Sequence, residues 1–111
     1  MPLKTKTITT EDITLTVSEA SVMMGTRRGV LRGDAMRTEV ENERPEAWLL
    51  RVITFPDLVA ATTDATGIDW PLTFDDFCDL SETFVNQWTD AVYALNPHWR
   101  PTKAGEEEKN E

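Results

Sequence analysis

The sequence predicts an α+β fold, in which an N-terminal β-hairpin packs on three to four α-helices and a disordered acidic C-terminal tail follows. Two observations predict this class. Threonines and alternating apolar residues fill the N-terminal segment, as is typical of strands, and the last third carries helix caps and an amphipathic stripe. We expect one globular domain at 1–100, with the hairpin at 3–17 and mainly helical structure at 18–99, and a tail at 101–111.

Size and charge limit the classes of function. A chain of 111 residues is long enough for one ordinary domain. Its 20 acidic and 11 basic residues give a net charge of -9, which argues against nucleic acid or an anionic membrane as the main partner. The excess of acid lies after residue 40, and we interpret this split as two faces of one domain. One cysteine and one histidine exclude an internal disulfide and multi-ligand zinc sites.

The hairpin is predicted from a period of two. Ile13, Leu15 and Val17 alternate with threonines, which gives a strand one apolar face. The polar segment 10–12 can turn the chain back onto residues 4–9. Two strands alone are marginally stable, so we expect other elements to cover the apolar face.

A first helix is predicted at about 19–41, with Ser18 as its N-cap. Glycines recur every fourth residue from Gly25 to Gly33 and would form one stripe on a helix. Each would cost about 1 kcal/mol relative to alanine. Residues 25–34 are therefore either a helix on which a partner helix packs closely or a loop, and the sequence leaves both readings open.

The middle of the chain is predicted to cross the core. Pro45 suits the first position of a second helix. Residues 47–55 are apolar on nearly all sides of a helical projection, which indicates a central, buried element. Residues 49–55 are equally compatible with a helix or a strand. We expect a helix to restart at Pro56 and a loop to follow at 62–67.

Two short signals define the helices of the last third. Thr73 and Ser81 each occupy an N-cap position. The helix after Ser81 carries an apolar stripe, formed by Phe84, Val85, Trp88, Ala91, Val92 and Leu95. Asn96-Pro97 ends this helix, because a residue before proline avoids the α region. Cys78 lies on the apolar side of the preceding helix and is expected to be a small buried hydrophobe.

The chemistry-bearing residues predict no enzyme, no metal and no cofactor. His98 is the sole imidazole and has no nucleophile near it in sequence. The aspartates 75, 76 and 79 complement a helix dipole and lack a cation-binding pattern. Four arginines between Arg27 and Arg37 lack interleaved aromatic residues for base stacking, so we expect them to face the acidic half of this domain or of a neighbouring copy.

The four tryptophans are many for this length, and we expect Trp48 and Trp88 in the core. Trp70 and Trp99 lie in non-helical stretches between polar neighbours. Core packing accounts for both rings, but tryptophan is also favoured at protein interfaces. We therefore expect any hydrophobic partner-binding surface around Trp70, Tyr93 and Trp99.

The second half, residues 47–99, resembles the small tail assembly chaperones of long-tailed bacteriophages and prophages. Members of that family often carry an aromatic-Pro-x-Leu-x-Ala-Ala element, a Leu-Thr-x-x-x-Phe element, a tryptophan-containing helix and a closing Asn-Pro-x-Trp. The matching residues here are Phe55-Pro56-Asp57-Leu58-Val59-Ala60-Ala61, Leu72-Thr73-Phe74-Asp75-Asp76-Phe77, Trp88 and Asn96-Pro97-His98-Trp99.

The resemblance implies a non-enzymatic helper in the cytoplasm of a bacterial host, which binds the tape measure protein or other tail proteins, with self-association as a further option. No apolar leader opens the chain, in agreement with that compartment. The family often makes a longer product by ribosomal frameshifting, and Glu108-Lys109-Asn110 can be encoded by a slippery heptamer. The alternatives are a tail completion or connector subunit and, third, a small nucleic-acid-binding regulator. The sequence leaves the oligomeric state and the bound client segment open.

Overall fold

The fold is a three-stranded antiparallel sheet that packs against a set of helices, and the computed structural model describes residues 2–10 and 12–101 of it. This confirms the predicted α+β class. The predicted disordered tail lies outside the described residues, apart from Pro101. Among the described residues, no helix is long and apolar enough to cross a membrane.

The predicted hairpin forms, and a third strand extends it. Strand β1 (Thr5–Thr9) pairs antiparallel with β2 (Thr14–Ser18), and Ile8 lies opposite Leu15. Strand β3 (Thr62–Thr66) pairs with the other edge of β2. The prediction of a loop at 62–67 is therefore wrong over most of its length. The segment has no apolar alternation of its own, and it becomes a strand because it pairs with β2.

Helix α1 (Val22–Arg37) starts later than predicted. Its N-cap is Ser21, whose Oγ accepts a hydrogen bond from the Met24 backbone N–H at 3.1 Å. Ser18, the predicted cap, is instead the buried last residue of β2. The glycine-containing segment is helical throughout, and no residue of α1 is buried.

The next helix is continuous but contains a wide turn. Helix α2 (Pro45–Leu49) leads through a π-helical segment (Leu50–Thr54) into α3 (Phe55–Ala61). The Phe55 N–H bonds to the carbonyl of Leu50, five residues earlier. The helical alternative for residues 49–55 is thus the correct one.

The prediction of a buried element at 47–55 is wrong for its first half. Trp48 is 39% and Leu49 43% exposed, and Val52 is the one buried residue between 47 and 55. An apolar pattern on all sides does not show which elements will cover it, and within the described residues α2 contacts mainly the π-helical segment that follows it. Trp48 and Leu49 therefore stay exposed, and the assignment of Trp48 to the core is wrong for this reason.

The helices of the last third agree with their predicted caps. Helix α4 (Phe74–Cys78) is capped by Thr73, and α5 (Glu82–Leu95) by Ser81, each hydroxyl accepting from the third following N–H at 3.1 Å. A single 3₁₀ turn (Pro97–Trp99) follows α5. The predicted stripe of α5 faces the core, with Val85 and Leu95 at its partly exposed edges.

Trp88 stands at the centre of the core and is fully buried. Its indole N–H donates to Thr62 Oγ1 at 3.1 Å, which satisfies the one polar group of the ring. Asn96 is also fully buried, and its side chain connects the end of α5 to the chain between β2 and α1. These contacts fix the sheet, α3 and α5 as one frame, to which α1 is attached from outside.

Candidate functional site

A buried carboxylate attaches α1 to this frame. Asp57 of α3 is 0% exposed. Arg28 Nε donates to its Oδ1 at 2.6 Å, and Arg32 Nη2 lies 2.9 Å from Oδ1 and 3.1 Å from Oδ2. The hydroxyl of Tyr93 donates to Oδ2 at 2.8 Å. A buried charge needs such partners, and the prediction that these arginines face acid of the same domain is confirmed for Arg28 and Arg32.

The cluster keeps the phenol of Tyr93 in its neutral form. Burial raises the pKa of Tyr93 far above its ordinary value, and the negative charge of Asp57 raises this pKa further. Arg28 and Arg32 lower it only in part. Tyr93 is therefore a hydrogen-bond donor to Asp57 and not an acid–base group.

The residues predicted to bind a partner do not form an exposed surface. Tyr93 and Trp99 are each 4% exposed. The Arg28 guanidinium covers Trp99, 4.6 Å from the ring centroid, and Arg100 lies 5.5 Å from the ring of Tyr93. Trp70 is partly buried against Trp88, with ring centroids 6.5 Å apart. Tyr93 and Trp99 are thus buried in this structure, which fits core packing for Trp99, and partner binding by Trp70, Tyr93 and Trp99 stays a prediction.

A different surface feature has the form of a binding site. A cavity of about 390 Å³ opens between α1, the helix at 51–56 and α4, and we call it the α1–α4 groove. Its lining residues are Leu31, Asp34, Ala35, Thr38, Arg51, Phe55, Pro56, Phe74 and Asp75. Ligand sites in proteins have about this size and a mainly apolar lining with a few polar groups.

The sequence positions the groove through aromatic packing. Phe55 meets Phe74 edge to face at a centroid distance of 5.5 Å and lies 5.0 Å from the ring of Phe77. Phe77 is buried, while Phe55 and Phe74 are only partly buried. The two partly buried rings therefore give the groove an apolar wall on a fixed support.

Arg51 defines one polar end of the groove. Its Nε and Nη2 donate to the two carboxylate oxygens of Glu43 at 2.7 and 2.8 Å, and its Nη1 donates to the carbonyl of Ala35 at 2.6 Å. The hydrogen bonds from Arg51 lower the pKa of Glu43. The bidentate pair links Arg51 to Glu43, just before α2, and the bond to the Ala35 carbonyl joins Arg51 to the C-terminal half of α1.

The remaining reactive groups are not assembled into a site. Cys78 is exposed, which corrects the expectation of a buried thiol. Partial desolvation and the neighbouring charges of Asp75 and Asp79 raise the pKa of its thiol, so it is not activated as a nucleophile. Within residues 2–10 and 12–101, no three histidine, cysteine, aspartate or glutamate residues group as metal ligands.

Sequence reasoning missed the groove because its walls come from three separate segments. Phe55, Pro56 and Phe74 were identified as parts of motifs, but Leu31 and Ala35 of α1 carried no signal. No protein-family model, curated protein or solved structure matches this chain.

Proposed function

We propose that this protein is a non-enzymatic tail assembly chaperone of a long-tailed bacteriophage or prophage. It acts in the bacterial host cytoplasm and holds an apolar segment of the tape measure protein during tail assembly. One observation carries the proposal. The α1–α4 groove is lined by Phe55, Pro56 and Phe74, which belong to the motifs through which the sequence resembles that family.

The groove suits a client that presents apolar side chains from an extended or helical segment. Burial of such side chains against Phe55 and Phe74 yields roughly 25 cal/mol for each Å² removed from water. Asp34 and Asp75, which are exposed, offer polar contacts that set the position of the segment. The net charge of -9 keeps a complex with an aggregation-prone client soluble.

The direct test is rescue of a tape measure fragment from aggregation, with the fragment taken from the neighbouring gene. The fragment alone is expected to scatter light, and an equimolar amount of this protein is expected to keep it in solution. Ala35→Glu places a charged side chain in the groove and should abolish the rescue. Leu3→Glu changes an exposed leucine on the hairpin side and is the matched control.

Two results would overturn the proposal. One is a fragment that aggregates equally with and without the protein. The other is rescue by the Ala35→Glu variant, with an unchanged thermal melt, at the level of the Leu3→Glu control. The gene gives a separate test, because we expect a slippery heptamer at codons 108–110, an overlapping frame and a long tape measure gene downstream.

A second candidate is a virion structural subunit, such as a tail completion or connector protein. The outer edge of β1 favours it, because no other strand of the described residues pairs with this edge and an edge strand presents N–H and C=O groups for pairing between subunits. Such a subunit would run as a defined large ring in solution. A nucleic-acid-binding role is less well supported, because Arg28 and Arg32 are already bonded to Asp57.

A further inference from the structure

The exposed apolar side chains of the described residues are concentrated in one segment. Eight large apolar residues are exposed, and seven of them lie between residues 22 and 49. These seven are Val22, Met23, Val30, Met36, Val40, Trp48 and Leu49. Exposed apolar clusters of this kind mark interaction sites. We call the exposed side chains of residues 22–49 the outer surface.

The outer surface has no neighbour within the described part of the chain along much of α1. A Cβ atom built at Gly25 or Gly29 meets nothing within 4 Å, and Val22 and Met23 are 87% and 74% exposed. The frame contacts α1 through Arg28 and Arg32. The apolar residues of the outer surface therefore remain open to another chain.

Charge divides the outer surface into two halves of opposite sign. The exposed charged residues of 22–38 are Arg27, Arg37 and Asp34, a net charge of +1. Those of 39–49 are Glu39, Glu41, Glu46 and Arg44, a net charge of -2. The outer surface thus carries a net charge of -1, in a chain whose net charge is -9.

We propose that the outer surface binds the outer surface of a second copy of this chain about a two-fold axis. The basic half of each copy contacts the acidic half of the other, so that one arrangement satisfies both charge contacts at once. Such an interface is self-complementary, as a two-fold dimer requires. The dimer covers the apolar side chains of both halves.

The exposed charges support this occupant. Arg27 is exposed on the basic half, and Arg37 is exposed there in an ion pair with Asp34. Glu39 and Glu41 are exposed on the acidic half, and Glu46 lies 3.7 Å from Arg44. Exposed ion pairs of this kind are weak, so Arg37 and Glu46 can also contact a second copy. Two acidic chains repel each other through most of their surfaces, so a surface of small net charge with opposite signs in its two halves is the favourable face for their contact.

The test is sedimentation of the full chain over a concentration series, with reductant present because Cys78 is exposed. The wild-type protein is expected to show a reversible monomer–dimer equilibrium. A basic-half variant, Arg27→Glu with Arg37→Glu, and an acidic-half variant, Glu39→Lys, Glu41→Lys and Glu46→Lys, should each weaken the dimer by about tenfold or more.

The two-fold arrangement makes a sharper prediction for a mixture of these variants. In a mixed pair, the reversed basic half of one chain meets the reversed acidic half of the other, and the second contact is wild type. The mixture should therefore dimerise more tightly than either variant does alone. Lys4→Glu with Lys6→Glu makes the same charge change as the basic-half variant on exposed hairpin residues and should leave the dimer unchanged.

A wild-type protein that stays monomeric throughout the series, or forms a large ring, would overturn the inference, as would a mixture no better associated than its components. The circular dichroism spectrum of each variant should match that of the wild-type protein, which shows that a weaker dimer is not caused by loss of folding. The inference does not depend on the proposed function. Loss of the dimer leaves client rescue through the groove untouched, and failure of rescue leaves the sedimentation result as it stands.

Discussion

The hydroxyl of Tyr93 on α5 and the carboxylate of Asp57 on α3 are joined by a hydrogen bond of 2.8 Å in the interior of the protein. The same carboxylate holds Arg28 and Arg32, so one buried residue connects three helices. Helix α1 has no buried side chain of its own. Its position therefore depends on polar contacts to a carboxylate in the frame, and only secondarily on apolar packing.

Asp57→Asn is expected to destabilise the fold by about 3 kcal/mol or more, as is typical when one partner of a buried ion pair is removed. The substitution keeps the shape but removes the negative charge and turns an amide N–H₂ toward the guanidinium groups. Chemical denaturation measures the change. A variant within about 0.5 kcal/mol of wild type would show that the cluster does not hold α1.

Tyr93→Phe is the matched change on the other side of the bond. It leaves Asp57 paired with both arginines and removes one hydrogen bond, so a smaller loss of about 1 kcal/mol is expected. A loss equal to that of Asp57→Asn would assign the stabilisation to the phenol rather than to the ion pairs.

Stability is expected to fall above about pH 10, the ordinary pKa of a tyrosine. The raised pKa of Tyr93 means that the folded state keeps its proton where the unfolded state has released it. The contribution is complete below the unfolded pKa and is lost as the pH rises toward the folded one. The chain has one tyrosine, so phenolate absorbance reports Tyr93 alone. Phenolate appearing at about pH 10 in the folded protein would contradict the buried donor, and Tyr93→Phe should remove this part of the pH dependence.

Asn96→Ala is expected to cost about 2 to 3 kcal/mol, because it leaves buried backbone groups without partners. The side chain accepts from the Ala20 N–H at 2.8 Å and donates to the Ser18 carbonyl at 3.0 Å. Asn86→Ala, at an exposed position of α5, is the control and should be close to neutral. Thermal or urea unfolding of the two variants separates them.

Gly29→Ala and Gly67→Ala are expected to act in opposite directions. A Cβ at Gly29 meets nothing within 4 Å, so alanine should stabilise α1 by about 0.5 to 1 kcal/mol. Gly67 has a φ of +79°, and a Cβ there would lie 1.7 Å from the Asp12 carbonyl oxygen. This variant should lose more than about 1 kcal/mol. If both variants had the same denaturation midpoint as the wild-type protein, neither the open position of Gly29 nor the restricted position of Gly67 would be supported.

Local signals made the last third predictable. Thr73 and Ser81 cap helices that need no distant partner to be recognised, and the stripe around Trp88 has a regular period. Strand β3 was not predictable in this way, because its residues form a strand only by hydrogen bonding to the edge of β2, which is distant in the sequence. The cap of α1 was predicted one turn too early, at Ser18, because the sequence does not show that β2 extends through Ser18 and leaves the capping position to Ser21.

The candidate site was predictable in part. The internal use of the arginine cluster followed from the acidity of the second half, but nothing in the sequence selected Asp57 among many acidic residues. Tyr93 and Trp99 are buried, although polar neighbours in the sequence suggested that they are exposed. A polar neighbour such as Arg100 can cover an aromatic ring, so it does not show that the ring is exposed.

The wide turn at Leu50–Thr54 lets this helix hold about one residue more than a regular α-helix of the same number of turns. Removing one residue there would let the turn close as a regular α-helix, and α2 would keep nearly the same orientation relative to α3. Asp57 and its partners would stay in place, and Trp48 and Leu49 would still be exposed. Relatives of this chain that lose a residue at this turn are thus expected to keep both the interior and the exposed apolar side chains of α2.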